Sequence, residues 1–265
     1  MQKTILLTGA TDGIGFETAK QLVELGHHVI VHGRNPVKVD KVVNQLAPIN
    51  KQAKLTPLVA DLSLFGSVET MIAEVKQGFA HLDVLINNAG VFNVAQANTE
   101  DGFDVRFVVN TFAPYRLTTE LLPLMSKNSR VVNLSSAAQA TVDYNALLGK
   151  RTLTDNPAYA QSKLALTMWS AYLGEQHKST GPMIVSVNPK SLLGSKMVQD
   201  AYGIKGSDLS VGADILVSAA LADEFADAHS KYYDNDIAAF ANPHPDAMDT
   251  KNNQHMVETL NQLWQ

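Results

Sequence analysis

Short apolar runs alternate along the chain with longer segments in which apolar residues recur at helical spacing. The candidate strands, rich in Val, Ile and Leu, are Ile5–Leu7, Val29–His32, Leu55–Ala60, Val84–Asn87, Arg130–Leu134, Met183–Asn188 and Lys231–Asp234. The candidate helices between them are Gly15–Leu25, Val37–Leu46, Gly66–Phe79, Asp101–Met125 and Pro157–His177. Nearly continuous apolar strands are typical of a sheet covered by helices on both faces. The alternation therefore predicts an α/β fold with a doubly wound parallel sheet. No linker or repeat divides the 265 residues, which predicts a single domain, 1–265.

A glycine-rich turn joins the first candidate strand to the first candidate helix. It consists of Thr8, Gly9, Ala10, Thr11, Asp12, Gly13, Ile14 and Gly15. Glycine lets a backbone turn tightly and approach a phosphate, and a helix N-terminus offers unpaired N–H groups to it. The turn therefore predicts a site for the pyrophosphate of a dinucleotide. A tight strand-to-helix connection without any ligand is the alternative.

The end of the second strand bears on which dinucleotide binds. Arg34 lies 19 residues after Gly15, and no acidic residue ends this strand. A carboxylate here suits the ribose 2′-hydroxyl of NAD, whereas an arginine suits the 2′-phosphate of NADP. The sequence therefore favours NADP(H) over NAD(H), and the Thr11 hydroxyl can contact the same phosphate. The alternative is a solvated surface arginine.

Polar residues follow the remaining strands, at the sheet edge where such folds bind ligands. They are Asp61-Leu62, Asn87-Asn88-Ala89-Gly90, Ser135-Ser136 and Asn188-Pro189. Asp61 can instead cap a helix, and the asparagines can instead form turns. Downstream, Tyr159 and Lys163 are four residues apart and so share one face of a helix. An ammonium beside a phenol favours the phenolate, as acid–base chemistry near neutral pH requires, although such a pair can also be an exposed surface pair.

In this order, the motifs resemble those of the short-chain dehydrogenase/reductase family, whose domain is Rossmann-like. Gly33-Arg34-Asn35, the long insert between the serines and Tyr159, and Ser191–Gly194 resemble its retinol-dehydrogenase-like branch. The resemblance implies that Asp61, with Leu62 beside it, binds the adenine, and that Asn88, Ala89 and Gly90 line the adenosine ribose and central cofactor. It implies that Lys163 holds the nicotinamide ribose and that Asn110 holds a water in a proton relay. It assigns Ser136 to the catalytic position, with Ser135 buried.

One departure from the family pattern follows the sixth strand. The family usually has Pro-Gly there, and in this chain Pro189 precedes Lys190. Since glycine lets the backbone pass close to the nicotinamide, we expect strain at Lys190 or an altered hold on the cofactor. The usual threonine a few residues later is also absent, with Gly194 and Ser195 nearby.

The resemblance implies an oxidoreductase that interconverts a carbonyl and an alcohol by hydride transfer, with Tyr159 as general acid and base. Reduction of an activated C=C bond and a non-catalytic NADP-binding regulatory role are the alternatives. The candidate substrate loops are residues 91–98, 137–156 and 190–210, and their apolar bias indicates an apolar small-molecule substrate. The same residues can equally pack against the helices.

The composition of the chain argues against several classes of binding partner. The net charge is −5 and no basic stripe is visible, so nucleic-acid and anionic-membrane binding are not expected. With no cysteine and only scattered histidines, no metal site is predicted. An acidic, cysteine-free chain without a signal peptide or a long apolar segment is expected to be cytoplasmic. Family members often pair through the fourth and fifth helices, so the apolar stripe in Leu164–Tyr172 is compatible with a homo-oligomer or with core packing.

The carboxylates of Asp234, Asp236 and Asp246 resemble solvated loop residues and are assigned no chemistry.

Overall fold

One continuous sheet organises the chain. The computed structural model describes residues 1–264, apart from the side chains of residues 201 and 202. Its strands are Thr4–Leu7 (β1), His28–Gly33 (β2), Lys54–Val59 (β3), Val84–Asn87 (β4), Arg130–Leu134 (β5), Met183–Asn188 (β6), Tyr232–Asp234 (β7) and Ala239–Ala241 (β8). Their order is β3-β2-β1-β4-β5-β6-β7-β8, with β1 to β7 parallel and β8 antiparallel to β7. The predicted doubly wound sheet is confirmed, and its direction of winding reverses between β1 and β4, where such folds bind ligands.

Helices connect the strands and cover both faces of the sheet. They are Gly13–Glu24 (α1), Pro36–Leu46 (α2), Phe65–Gly78 (α3), Val105–Phe107 (α4), Ala113–Leu121 (α5), Tyr144–Leu147 (α6), Asp155–Gln176 (α7), Lys196–Tyr202 (α8), Ser210–Leu221 (α9), Pro245–Met248 (α10) and Thr250–Gln262 (α11). Helices α1, α2 and α9 pack on one face, and α3, α5 and α7 pack on the other. Each face buries its own apolar core, as nearly continuous apolar strands require.

The long helix α7, which carries Tyr159 and Lys163, lies within the second of these cores. Leu164 and Trp169 are fully buried in the same apolar cluster as Met256 and Leu260 of α11. The apolar stripe in Leu164–Tyr172 is therefore largely used for packing inside this chain. Covered on most sides, α7 is a rigid support for the side chains at its N-terminal end.

The segment predicted as one helix over Asp101–Met125 is divided. Residues 101–104 form a turn, α4 begins at Val105, and a π-helical turn over Val108–Phe112 separates α4 from α5. Pro114 explains the division, because it has no N–H to donate to the carbonyl four residues earlier, that of Asn110. Pro123 lies in a 3₁₀ turn, Leu122–Leu124, that ends this helical region. Irregular turns of the π type often occur at functional sites, and Asn110 lies inside this one.

Candidate active site

The glycine turn after β1 has a shape that only glycine permits. Gly9 and Gly13 have positive φ angles of 66° and 55°. A Cβ atom on Gly15 would lie 2.1 Å from the carbonyl oxygen of Gly9, and one on Gly9 would lie 2.8 Å from Ala89 Cα. Helix α1 begins at Gly13, so its first N–H groups face this turn. This cradle has the shape and the N–H donors that a phosphate group requires.

Thr8 and Asn88 lock the cradle to strand β4. The Thr8 hydroxyl accepts hydrogen bonds from the Asn88 and Ala89 N–H groups, both at 3.0 Å. The Asn88 amide donates to the carbonyls of Thr8 and Gly9, at 2.8 and 3.1 Å. The Asn88 side chain thus links the end of β1 to the end of β4, and its N–H donates to the Ile86 carbonyl at 3.0 Å, two residues earlier, as in a tight turn.

His32, on β2, also joins strand ends by hydrogen bonds. This role was not predicted from the sequence. His32 is 2% exposed; its Nδ1 accepts from the Gly9 N–H at 3.1 Å, and its Nε2 lies 3.1 Å from the Ala60 carbonyl oxygen. Because Nδ1 accepts, Nε2 carries the proton and donates. Burial lowers the pKa of His32 to about 4, against smaller opposing effects of the Ala60 hydrogen bond and Asp61. A neutral imidazole therefore bridges the ends of β1 and β3 across β2.

The end of β2 brings Arg34 beside the cradle. A Cβ atom on Gly33 would lie 2.5 Å from Thr11 Cγ2 and 3.2 Å from Thr11 Oγ1, so Thr11 packs directly on the residue before Arg34. Arg34 itself is exposed, and Asn35 caps α2 by accepting from the Lys38 N–H at 3.1 Å. A guanidinium and a hydroxyl at this edge are suitable donors for a phosphate.

Asp61 and Leu62 follow β3 at the same edge. The Asp61 carboxylate accepts hydrogen bonds from the Ser63 N–H at 2.9 Å and the Ser63 hydroxyl at 2.7 Å. Helix α3 begins only at Phe65 and has no side-chain cap, so neither Asp61 nor Ser63 caps it. Leu62 is buried, which leaves Asp61 as the polar group at this strand end.

Tyr159 and Lys163 meet as the helical spacing predicts. Lys163 Nζ lies 5.7 Å from the centroid of the Tyr159 ring. Tyr159 is half-buried, and the Phe92 ring packs against it with a centroid separation of 4.8 Å. The phenol is therefore held between a cation on its own helix and an aromatic ring from the loop after β4.

The Lys163 ammonium is almost completely withdrawn from solvent. Its side chain is 3% exposed, and its Nζ donates to the Leu134 carbonyl at 2.7 Å. Burial lowers the pKa of Lys163 to about 8. A Cβ atom on Gly90 would lie 3.5 Å from Nζ and 3.4 Å from Asn110 Oδ1, so glycine leaves room beside both groups. This opening fits a sugar hydroxyl, in keeping with the implied role of Lys163.

Asn110 connects the loop after β4 to α7. Fully buried, it accepts from the Val91 N–H at 2.8 Å and donates to the Val91 carbonyl at 2.9 Å. Its amide also donates to the Ser162 hydroxyl at 2.9 Å, and that hydroxyl donates to the Tyr159 carbonyl at 2.7 Å. Ser162 was not identified from the sequence. The only sequence feature that could have pointed to Ser162 is its position between Tyr159 and Lys163.

The two serines after β5 differ as expected. Ser135 is buried, and its hydroxyl lies 2.7 Å from the Thr167 hydroxyl on α7. Ser136 is half-buried, and its hydroxyl accepts from the Ala138 N–H at 3.1 Å. Leu134, whose carbonyl holds Lys163, lies two residues before Ser136, so β5 brings Ser136 to the Lys163 end of α7.

The loop after β6 carries the expected strain. Lys190 has a φ angle of 117°, in a region that favours glycine. Pro189 and Ser191 on either side are held by residues of the turn after β7, among them Asp236, to which the sequence assigned no chemistry. Asp236 is exposed, yet it accepts hydrogen bonds and is not merely solvated.

The three candidate substrate loops surround this edge of the sheet. Residues 91–98 supply Phe92, and residues 137–156 are tied to α7 because Gln161 Oε1 accepts from the Asp143 N–H at 2.9 Å. Within residues 190–210, Leu193 is buried, and its Cδ1 lies 2.6 Å from where a Cβ on Gly212 would stand. The side chains of residues 201 and 202 lie outside the described residues.

A sequence model of the short chain dehydrogenase family matches residues 3–202. Human polyprenol dehydrogenase is 37% identical over 179 residues, which cover 64% of this chain and 54% of that protein. Human retinol dehydrogenase 13 is 29% identical over 253 residues, covering 88% of this chain and 76% of that protein. Bovine retinol dehydrogenase 12 is 33% identical over 208 residues, covering 76% and 64%. The chain thus spans about half the length of the polyprenol dehydrogenase that it matches.

Solved structures share the fold. A protein from Mycobacterium paratuberculosis superposes with a TM-score of 0.80 at 25% identity, covering 99% of this chain and 93% of that one. The landomycin C-6 ketoreductase LanV, solved with bound NADP and rabelomycin, superposes with a TM-score of 0.68 at 23% identity, covering 88% and 94%.

A glycine cradle at the reversal of a doubly wound sheet, with a tyrosine and a lysine near the same edge, matches the order of motifs found in the sequence. The chain belongs to the short-chain dehydrogenase/reductase family, within its retinol-dehydrogenase-like branch. In the part of the chain that the structure describes, no helix combines the length and apolar character needed to cross a bilayer.

Proposed function

We propose that this protein is an NADP(H)-dependent oxidoreductase that interconverts an apolar carbonyl compound and its alcohol. The observation that carries the proposal is the buried Lys163 ammonium 5.7 Å from the Tyr159 ring. Because both lie at the edge of the sheet that carries the glycine cradle, acid–base chemistry and a dinucleotide can meet there.

The cofactor would lie across the strand ends. Gly9, Gly13 and Gly15 would hold its pyrophosphate, Asp61 and Leu62 its adenine, and Arg34 with Thr11 its 2′-phosphate. Asn88, Ala89 and Gly90 would line the ribose and central part, with Asp12 and Ile14 in the cradle and Pro189 at the nicotinamide end. When bound, the nicotinamide supplies or accepts the hydride. NADP in the LanV structure supports this choice of dinucleotide.

Tyr159 would handle the proton. In reduction, its hydroxyl donates a proton to the substrate oxygen, and the phenolate left behind is stabilised by the Lys163 ammonium. Ser136 would donate a hydrogen bond to the same oxygen and fix its angle. Asn110 would hold Val91 and Ser162, and through them the loop and helix on either side of the phenol. The implied relay water would lie near Asn110.

The substrate class follows from the surroundings of Tyr159 and from the relatives. Phe92 packs on Tyr159, and Leu193 and Val142 line two of the candidate substrate loops as buried apolar residues. Two of the relatives are named as dehydrogenases of polyprenol and of retinol, which are long apolar alcohols. We therefore place an apolar alcohol or carbonyl compound at this site.

A panel of apolar aldehydes, ketones and enones, each with NADPH, tests the proposal. Consumption of NADPH with formation of the alcohol supports it. Saturation of the C=C bond with the carbonyl intact would instead show the alternative reaction, in which Tyr159 protonates carbon. Binding of NADPH without turnover of any compound would favour a non-catalytic regulatory protein.

Arg34→Ala tests the dinucleotide. Loss of a charge-assisted contact to the 2′-phosphate should weaken NADPH binding roughly 10- to 100-fold and leave NADH within about twofold. Lys41→Ala, on the exposed side of α2, is the matched control for loss of a nearby positive charge. Equal losses for both dinucleotides would remove Arg34 from the 2′-phosphate.

A further inference from the structure

Lys190 is held in a backbone conformation that its side chain disfavours. Its φ angle is 117°, and a residue with a Cβ atom keeps such an angle only where its surroundings enforce it. The strain therefore points to partners that hold the loop after β6 on both sides of Lys190.

Those partners come from the turn after β7. Asp236 accepts from the Ser191 N–H at 2.9 Å, from the Ser191 hydroxyl at 2.6 Å and from the Asn188 amide at 2.9 Å. Asn235 donates its amide to the Pro189 carbonyl at 2.9 Å and its N–H to the Asn188 carbonyl at 3.1 Å. Asn188, Pro189 and Ser191, which flank Lys190, are thus all hydrogen-bonded to Asn235 or Asp236.

The fastened loop lies between the catalytic serine and the glycine cradle. The Ser135 N–H, next to Ser136, donates to the Val187 carbonyl at 2.8 Å. Further along the same connection, Ser195 Cβ lies 3.8 Å from where a Cβ on Gly13 would stand. The strained backbone is therefore part of the wall that a nicotinamide would meet, if the dinucleotide lies as proposed above.

We infer that Asp236 is a positioning residue, which holds the strained 189–191 backbone against the nicotinamide end of the dinucleotide. The inference rests on the proposed function. Asp236 itself bonds to the loop, so it would act on the dinucleotide through the 189–191 backbone. The charge-assisted bonds that it accepts are suited to the task, because they are stronger than bonds between neutral groups.

Titration calorimetry with two probes tests the inference. NADP⁺ reaches the nicotinamide end, whereas adenosine 2′,5′-bisphosphate ends at the adenosine. Asp236→Ala should weaken NADP⁺ binding about tenfold and leave the bisphosphate within about twofold, because only the longer probe meets the released loop. Asp227→Ala, which removes an exposed carboxylate before β7, is the matched control and should change neither affinity.

A second substitution separates positioning from a general loss of structure. Glycine adopts the angle at position 190 without strain, so Asp236→Ala combined with Lys190→Gly should recover most of the lost NADP⁺ affinity. Without any cofactor, Lys190→Gly alone should raise the melting temperature by about 2 °C.

Three results would overturn the inference. They are equal losses for both probes in Asp236→Ala, no loss for either probe, and no recovery in the double variant. A wild-type protein that binds the bisphosphate but not NADP⁺ would also contradict it. If wild type binds neither probe, the proposed NADP function itself fails, and the inference fails with it.

Discussion

The two ends of the binding edge handle unusual backbone angles differently. On the side of β1 to β4, the cradle turns at Gly9 and Gly13, and each positive φ angle described before residue 190 belongs to a glycine. On the side of β6 to β8, positive angles also occur at Lys190, Leu192, Ser230 and Ala238. The first side therefore places its positive angles at glycines, without strain, whereas on the second side Asn235 and Asp236 hold a strained residue, Lys190, from both sides. A dinucleotide's phosphates need a fixed cradle, and loops around a substrate can depend on adjustable contacts.

Gly15→Ala should disrupt the glycine cradle severely. The new Cβ atom would stand 2.1 Å from the Gly9 carbonyl oxygen, so the turn must open or the protein must unfold. We expect a loss of at least about 3 kcal/mol of unfolding free energy and no measurable NADP⁺ binding. Gly66→Ala is the control, because its Cβ would meet no atom within 4 Å and should slightly stabilise α3. Equal behaviour of the two variants in thermal unfolding would refute a glycine-specific cradle.

Low pH should reduce the stability of the protein through protonation of His32. The pKa of His32 is about 4 in the folded protein and 6.5 in the unfolded chain. Between these two pH values, the unfolded chain therefore binds more protons than the folded protein. Stability should therefore fall by about 3 kcal/mol as the pH drops from 6.5 to 4. Denaturant unfolding at several pH values measures this, and His32→Gln should remove that part of the slope. A slope unchanged in His32→Gln would show that other groups cause the acid loss.

High pH should lower the reduction rate by removing the charge of Lys163. Burial lowers the pKa of Lys163 to about 8, so the ammonium that supports the phenolate is lost as the pH rises through that value. The reduction rate should fall about tenfold per pH unit above 8. Stability should move the opposite way, rising between about pH 8 and 10.5, because the unfolded chain then binds more protons. A rate that falls together with stability would indicate unfolding instead.

Ala238→Gly should stabilise the turn between β7 and β8 slightly. Ala238 has a φ angle of 52° in the turn between β7 and β8, so glycine should relieve strain there and add about 0.5–1 kcal/mol of stability. Ala47→Gly is the control, since Ala47 ends α2 at a φ of −53° and should lose a similar amount. Thermal unfolding reports both signs. A loss in both variants would show that the β7–β8 side is not strained.

The parts predicted from sequence follow from local patterns. Strands β4, β5 and β6 were predicted residue for residue because buried parallel strands are continuous apolar runs. Strand β8 was missed because it has three residues, two of them exposed. Helices α8 to α11 were not predicted either. The roles of His32 and Asp236 depend on neighbours 28 and 45 residues away in the chain, which no local pattern contains.

The role proposed for Tyr159 is tested by comparing wild type with Tyr159→Phe. Both are assayed under saturating NADPH with an apolar ketone or aldehyde that the wild type turns over. The substitution removes the proton donor and leaves the Phe92 contact and the cradle in place. We expect a fall in kcat of roughly 10²- to 10⁴-fold, with NADPH affinity within about threefold of wild type. Retention of most of the wild-type kcat would contradict the proposed role of Tyr159.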